Sequence, residues 1–353
     1  MDIFINATSN ISPQNTFDEK FFLEEIVEYN SQYLQCIQPD YKNFIDPKAS
    51  RRMGRILKMG TTAALKCLSD STIQIPDAII TGTGFGCLED TINFLDNLIE
   101  NNEQFLTPTS FIQSTHNTLS AQVALLLGCN NYNFTYVHRG ISFESALADA
   151  MMSLKEKTSN NVLVGAADEI VEKFFNITSR MGIWKEATIK NTDLLLDQNT
   201  GTIAGEGATF FVLSTSQEED SYCKVQNVKT FYKPDMSMMS AIIEEFLKDA
   251  NLSISDLDLV LLGYNGDPSG DEIYNELVST YLTNQNVAYF KHLCGEYHTA
   301  SAFATWFGAK VLKHQEVPLG TRLNDFQGSE YKNLLIYNHY ASKNHSLILL
   351  TKC

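Results

Sequence analysis

The stretch Gly205-Glu206-Gly207-Ala208-Thr209-Phe210-Phe211-Val212-Leu213 places two glycines one residue apart, just before an apolar run. This reads as a tight turn feeding a buried strand, with glycine wherever a side chain would collide with packed backbone. Upstream, Val162 to Asp168 (VLVGAAD) reads as a strand leading into a glycine turn, and Ala78 to Thr81 as a buried strand running into Gly82-Thr83-Gly84-Phe85-Gly86. Between these lie helical patterns at Ser50 to Leu68, Leu88 to Asn101, Ser120 to Leu127 and Ser142 to Lys155. Met53, Ile56, Leu57, Gly60, Ala64 and Leu65 recur at helical spacing. Ile3 to Ile5 and Tyr132 to Val137 read as strands, and Thr16 to Gln35 as a helix. The polar stretch Ser214 to Ser221 is the clearest internal boundary. Beyond it the same grammar returns. Helices are expected at Ala241 to Ala250, Asp271 to Leu282 and Ala300 to Leu312, strands at Leu257 to Gly263 and Ala288 to Phe290, and a hairpin from Asn333–Tyr337 and Ser346–Leu350. The alternation predicts an α/β chain in two similar halves, residues 1–215 and 216–353.

The 353 residues carry 26 Lys+Arg against 42 Asp+Glu, a net charge of −16. That balance opposes binding to nucleic acid or to an anionic membrane surface. An apolar share of 44% suits a globular chain with a sizeable core. No apolar run of about 18 residues suggests a membrane span, and the N-terminus does not read as a signal peptide, so a cytoplasmic location is expected. The seven cysteines are irregularly spaced and read as free thiols. No metal-ligand spacing and no cofactor motif stands out.

Taken in order, several segments resemble the β-ketoacyl synthase branch of the thiolase-like superfamily. They are Gly205–Leu213, Val162–Asp168, Phe111–Leu127 with Ser120-Ala121, and Lys291-His292-Leu293-Cys294-Gly295 followed by Thr299-Ala300-Ser301-Ala302. The resemblance covers roughly Lys48 to Leu350. It implies a five-layered αβαβα fold of two duplicated halves. It also implies a Cys nucleophile at a strand-to-helix turn and two His residues that activate a malonyl thioester. Such a thiolate would attack a thioester, and two imidazoles would steady the enolate left by decarboxylation.

At all three positions this chain departs from the family. Aligning Ser142 and Ala146–Ala150 with the family helix puts Gly140 where Cys belongs. Asn265 is the match for the first His, and Glu296 stands at the second. Lys291 is retained. The C-terminal glycine-rich turn is replaced by Asn338–Asn344, which has no glycine. A glycine cannot form an acyl-enzyme. The resemblance therefore implies a non-condensing, chain-length-factor type of subunit. It would pair as a heterodimer with an active ketosynthase and meet the acyl carrier protein through that partner, in aryl polyene, flexirubin-type or related biosynthesis. By the same analogy Tyr132–Val137 is the dimer strand, Thr107–Thr118 lies near the seam, and Phe85, Phe111 and Phe134 line or block a tunnel.

Other readings compete. An active acyltransferase could use Cys294, near His298, or Ser142 as a relocated nucleophile, although a buried thiol and a helix cap are the plainer roles. His298 could slide by two residues to replace the missing His. His292, Glu296 and His298 could gather at a metal. Gly82–Gly86 sits where a dinucleotide fingerprint would, but Cys87 occupies the third glycine position. Arg51-Arg52 with Arg55 and Lys58 could dock an acidic partner or form a solvated helix face. Arg139 and Glu296 could pair in the vacated pocket.

Overall fold

The computed structural model describes residues 1–17, 22–104 and 106–353. Ten strands form one sheet: β1 Phe4–Ile11, β2 Ala78–Gly82, β3 Tyr132–Tyr136, β4 Asn161–Asp168, β5 Gly207–Ser214, β6 Cys223–Tyr232, β7 Leu259–Leu262, β8 Val287–Tyr289, β9 Asn333–Tyr340 and β10 Asn344–Thr351. Their order is β8-β7-β9-β10-β6-β1-β5-β4-β2-β3. Antiparallel β1 and β6 pair at the centre, Phe4 facing Lys224. Outward from that pair the halves repeat. β1-β5-β4 and β6-β10-β9 are antiparallel, whereas β4-β2-β3 and β9-β7-β8 are parallel.

The principal helices are α1 Arg55–Ser69, α2 Leu88–Glu100, α3 Pro108–Gln113, α4 Thr118–Leu127, α5 Ser142–Lys155, α6 Glu172–Ser179, α7 Met239–Lys248, α8 Pro268–Thr280 and α9 Ala300–His314. Strand alternation sorts the apolar side chains into layers. Ile80, Val164 and Phe211 face the same core as Leu261, Ile336 and Leu350, together with Ala146 and Leu147 of α5 and Phe303 and Phe307 of α9. Their strand neighbours Ile79, Leu163 and Phe210 pack outward against Ile56, Leu57 and Ala63 of α1. On the other side Val260, Leu262 and Leu335 pack against Ile243 and Phe246 of α7. The result is the five-layered αβαβα arrangement of the thiolase-like fold. Strands covered on both faces must be apolar throughout, which is why they read as continuous runs. Small residues let α9 lie between the two halves: a Cβ on Gly308 would come within 2.9 Å of Leu350.

Two expectations change. The helix over Thr16 to Gln35 is not formed by the described residues there, and its positions 18–21 lie outside them. Asn30–Ser31 pairs with Ile189–Lys190, and Tyr33–Leu34 with Ala204–Gly205. The Gln14 carboxamide accepts from the Val27 amide at 2.7 Å and pins the segment. Tertiary pairing outweighs a local pattern of aromatics and acids. Cys223–Tyr232 is a strand that no apolar run announced, because only one of its faces is well covered.

Candidate functional site

The crossing of two glycines builds the site. A Cβ on Gly205 would sit 2.0 Å from the Cys294 carbonyl oxygen, and one on Gly295 (φ +74°) 2.6 Å from that of Ala204. Only glycine permits this approach. The Gly205 amide donates to the Glu296 carbonyl at 2.9 Å, and the Glu296 amide to that of Ile203 at 2.8 Å. Two motifs far apart in sequence are thereby joined, and Glu296 is fixed beside the joint.

Glu296 is buried. Its Oε2 accepts from Lys291 Nζ at 2.7 Å and from Asn265 Nδ2 at 2.8 Å, while Oε1 has no hydrogen-bond partner among the described residues. Lys291, fully buried, also donates to the His339 carbonyl at 3.2 Å. The Asp271 carboxylate shapes the Asn265 loop by accepting from the amides of Asn265 and Gly266 at 3.0 and 2.8 Å. Burial pushes Asp271 up to about 6. Lys291, Asn265 and Glu296 thus form one polar cluster. The pairing of Arg139 with Glu296 is not formed; Lys291 takes that place. The Arg139 guanidinium instead lies over the Phe85 ring, 3.9 Å from its centre.

Gly140 is buried in the turn before α5. A Cβ there would come within 2.3 Å of the Tyr340 Cβ. Tyr340 stacks on His298 with centroids 4.3 Å apart, and His298 meets Phe85 edge-on at 4.8 Å. Burial, reinforced by the Arg139 charge, pulls the His298 imidazole down to about 3, so it is neutral. Phe85, Arg139, Glu296, His298 and Tyr340 line one cavity of about 500 Å³ whose other walls include Phe174 and Trp184. His298 does reach the cavity that contains Glu296.

The relocated nucleophiles find no base. The Ser142 hydroxyl donates to the Arg139 carbonyl at 2.8 Å and accepts from the His138 amide at 2.8 Å, closing the turn. Cys294 is fully buried and donates to the Gly295 carbonyl at 3.3 Å; burial pushes its thiol up. A thiol held in that form is a poor nucleophile. His292 stacks on Tyr289, centroids 4.0 Å apart, and burial pulls it down to about 3. No group of metal-holding side chains occurs among the described residues.

The glycine turn after β2 spends its amides internally. Gly84 N–H donates to Asp168 at 2.8 Å and Gly86 N–H to the Thr83 hydroxyl at 2.9 Å. A Cβ on Gly84 would strike His298 at 2.4 Å. A phosphate cradle needs free amides, so the nucleotide reading fails here. Arg55 lines a surface pocket with Arg51, Arg52 and Lys58, but its charge is already committed. It turns inward to clasp Glu206 with two bonds of 2.5 and 2.6 Å.

Of the three tunnel candidates, only Phe85 lines the cavity. Phe111 is exposed on α3, 5.7 Å from Phe94. Phe134 is exposed on the edge strand β3, stacked with Tyr132. The sequence did not reveal the contacts that Tyr340 and Arg55 make, nor the role of Asp168, which accepts four hydrogen bonds from Thr83, Gly84 and Thr299. A tyrosine inside a turn stripped of its glycines was the available signal for Tyr340.

A family model described as "Beta-ketoacyl synthase, N-terminal domain" matches residues 30–249. No curated protein sequence matches the chain. Among solved structures, the ishigamide ketosynthase/chain length factor is similar at TM-score 0.83 and 16% identity, covering 100% of this chain and 99% of that one. A ketosynthase in complex with its chain length factor from Xenorhabdus doucetiae follows at TM-score 0.79 and 15% identity, covering 100% and 98%. A β-ketoacyl synthase from Burkholderia phymatum is similar at TM-score 0.78 and 14% identity, covering 100% and 99%. No helix among the described residues is long and apolar enough to cross a membrane.

Proposed function

We propose that this chain, which belongs to the β-ketoacyl synthase family, is a non-condensing subunit of the chain-length-factor type that pairs with an active ketosynthase. One observation supports the reading: at Gly140, the position that the resemblance assigns to the nucleophile, Tyr340 fills the space a side chain would need. Glu296 supports it further. It stands at the position expected for an activating His, and a buried carboxylate has no hydrogen to donate to an enolate oxygen. Lys291 and Asn265 are already engaged with that carboxylate.

The edge strand β3 supports the pairing. Tyr132 and Phe134 are exposed there, as are Leu125 on α4 and Ile112 on α3. An open strand edge with apolar neighbours is a surface that natural chains cover. An aryl polyene, flexirubin-type or related product is our finer reading, with the acyl carrier protein met through the partner.

Intact-mass spectrometry with acyl-carrier substrates, on the chain alone and co-expressed with a ketosynthase, tests the proposal. Expected are no adduct on this chain, a stable 1:1 complex, and condensation only when the partner is present. A stoichiometric acyl adduct on this chain, or condensation by it alone, would overturn the reading.

A further inference from the structure

The loop that follows β7 brings the Asn265 side chain to Glu296, and both halves of the molecule hold it in place. We propose that Asp271, on α8, is a proton-operated latch on this loop. When its carboxylate takes up a proton the loop is released from it, Asn265 withdraws from Glu296, and the wall of the cavity changes. This goes beyond the non-condensing role and does not depend on it.

The geometry of the loop carries the argument. Its amides hang on one side chain: Asp271 Oδ1 accepts from the Asn265 amide at 3.0 Å, and Oδ2 from the Gly266 amide at 2.8 Å. Its carbonyls are held by the first half. The Thr202 hydroxyl donates to the Asn265 carbonyl at 2.7 Å, and the buried Lys185 Nζ to that of Gly266 at 2.9 Å. Lys185 is anchored in turn by the Asp197 carboxylate and the Asn199 carbonyl, each at 2.8 Å. Gly266 adopts φ +80°, so the chain has a hinge at this point. The loop can therefore swing away from Asp271 while it stays tethered to the first half.

The chemistry supplies the trigger. An ionised carboxylate accepts at both oxygens, whereas a protonated one turns one oxygen into a donor and loses the charge that strengthens both bonds. Two amides can then no longer be served equally. Burial raises Asp271 to about 6; the two amides and the Lys291 ammonium oppose that rise, and Glu296 adds to it. Tyr264 and Tyr274 also face Asp271, and burial raises both phenols, so they stay neutral. His339 stacks on Tyr274 at 4.9 Å, donates to or accepts at the Gly270 carbonyl region at 2.7 Å, and is pulled down to about 3 by burial. Burial also pulls down His345, 5.2 Å from His339. The folded chain holds the Asp271 proton more tightly than the unfolded chain, where an Asp titrates near 3.9. Its stabilising effect is full below about pH 4 and lost as pH rises through about 6. Mild acid thus moves the loop within the fold and does not unfold the chain through this group. With Asn265 withdrawn, Glu296 keeps only the Lys291 bond and is free to turn in the cavity wall.

Hydrogen exchange read by mass spectrometry on the full chain tests the latch, with rates corrected for the intrinsic effect of pH. Between pH 7.5 and 5.5 the protection of residues 264–271 should fall at least about tenfold, because the protonated fraction of a group titrating near 6 rises by at least that much. Strand β4 is the reference and should keep its protection. Asp271→Asn retains one acceptor oxygen and puts an N–H donor in place of the other, so its loop should be poorly protected at both pH values. His339→Gln should keep the transition. Constant protection of the loop in the natural chain overturns the proposal, and that result needs no variant to fold. So does a folded Asp271→Asn chain whose loop stays protected at pH 7.5. Loss of the transition in folded His339→Gln would put the proton on the imidazole and overturn it as well. The non-condensing reading stands or falls on the acyl adduct, which none of these outcomes touches.

Discussion

Glu206 and Glu296 each follow one of the two glycines that cross, each is buried, and each is paired with a base. Their surroundings differ. Glu206 accepts from both Arg55 guanidinium nitrogens, from the Cys36 amide at 2.9 Å and from the Ile170 amide at 2.8 Å. Both its oxygens are used. Glu296 receives two side-chain donors on one oxygen and none on the other. Glu206 ties backbone from two segments to the Arg55 side chain. Glu296 holds only side chains and leaves a buried acceptor unmet, which costs stability. Equal burial thus serves different ends: one carboxylate is a structural clamp, whereas the other occupies a position where the fold alone would not require it.

Replacing each ion pair as a unit breaks or upholds this contrast, and it carries the largest expected effect. Arg55→Met with Glu206→Leu strands the amides of Cys36 and Ile170. Each orphaned buried donor costs about 1–3 kcal/mol, so a loss of about 2–6 kcal/mol is expected. Lys291→Met with Glu296→Leu removes a buried pair that holds no backbone amide. Such replacements are often neutral or stabilising. Asn265 loses its acceptor and the His339 carbonyl loses the Lys291 donor, so the expected cost is about 1–2 kcal/mol. Urea unfolding of both double variants measures the difference. Equal losses would erase the distinction between the two glutamates.

A third carboxylate sharpens the clamp side. Glu169 lies 3.9 Å from Arg55, and burial raises it to about 7 despite that cation. The folded state therefore binds its proton more tightly than the unfolded chain, where a Glu titrates near 4.3. Its contribution is fully present below about pH 4 and is lost as pH rises through about 7. The ceiling on that loss is about 4 kcal/mol. Melting temperature recorded from pH 5 to 8 should fall more steeply for the natural chain than for Glu169→Gln. A parallel slope in the two proteins would mean that Glu169 ionises freely.

Much of the fold was legible because its strands are covered on both faces and so appear as unbroken apolar runs, as at Ala78–Thr81 and Val162–Asp168. The second half was legible for the same reason, since Leu259–Leu262 and Leu334–Ile336 repeat the pattern. Cys223–Tyr232 escaped notice because half its side chains face outward. In the site, Lys291, Asn265 and Glu296 could be singled out through the resemblance to the family, and the structure joins them. Their mutual bonding could not be read, and Glu296 was expected to pair with Arg139. Tyr340 stood out only as a tyrosine in a turn without glycine, and its role was hidden for a different reason. Its importance lies in contact with Gly140, 200 positions away, and nothing in either local sequence implies the other.

That contact yields the smallest and most specific expectation. Gly140→Cys would restore a thiol at the turn, but its Cβ would fall within 2.3 Å of the Tyr340 Cβ. Both atoms sit next to the backbone, so rotating a side chain cannot relieve the clash. Overpacking of this kind costs about 1–3 kcal/mol. Tyr340→Gly removes the obstructing atoms and should return most of that loss in the double variant, giving a coupling energy of about 1 kcal/mol or more between adjacent sites. Thiol-reactive labelling provides a second readout. The cysteine of Gly140→Cys should label slowly while Tyr340 is present and faster once it is removed, with the buried Cys294 unlabelled in both. Additive stabilities and unchanged labelling would show that the turn yields freely. Tyr340 would then merely occupy the pocket beside Glu296, rather than hold it shut against a nucleophile.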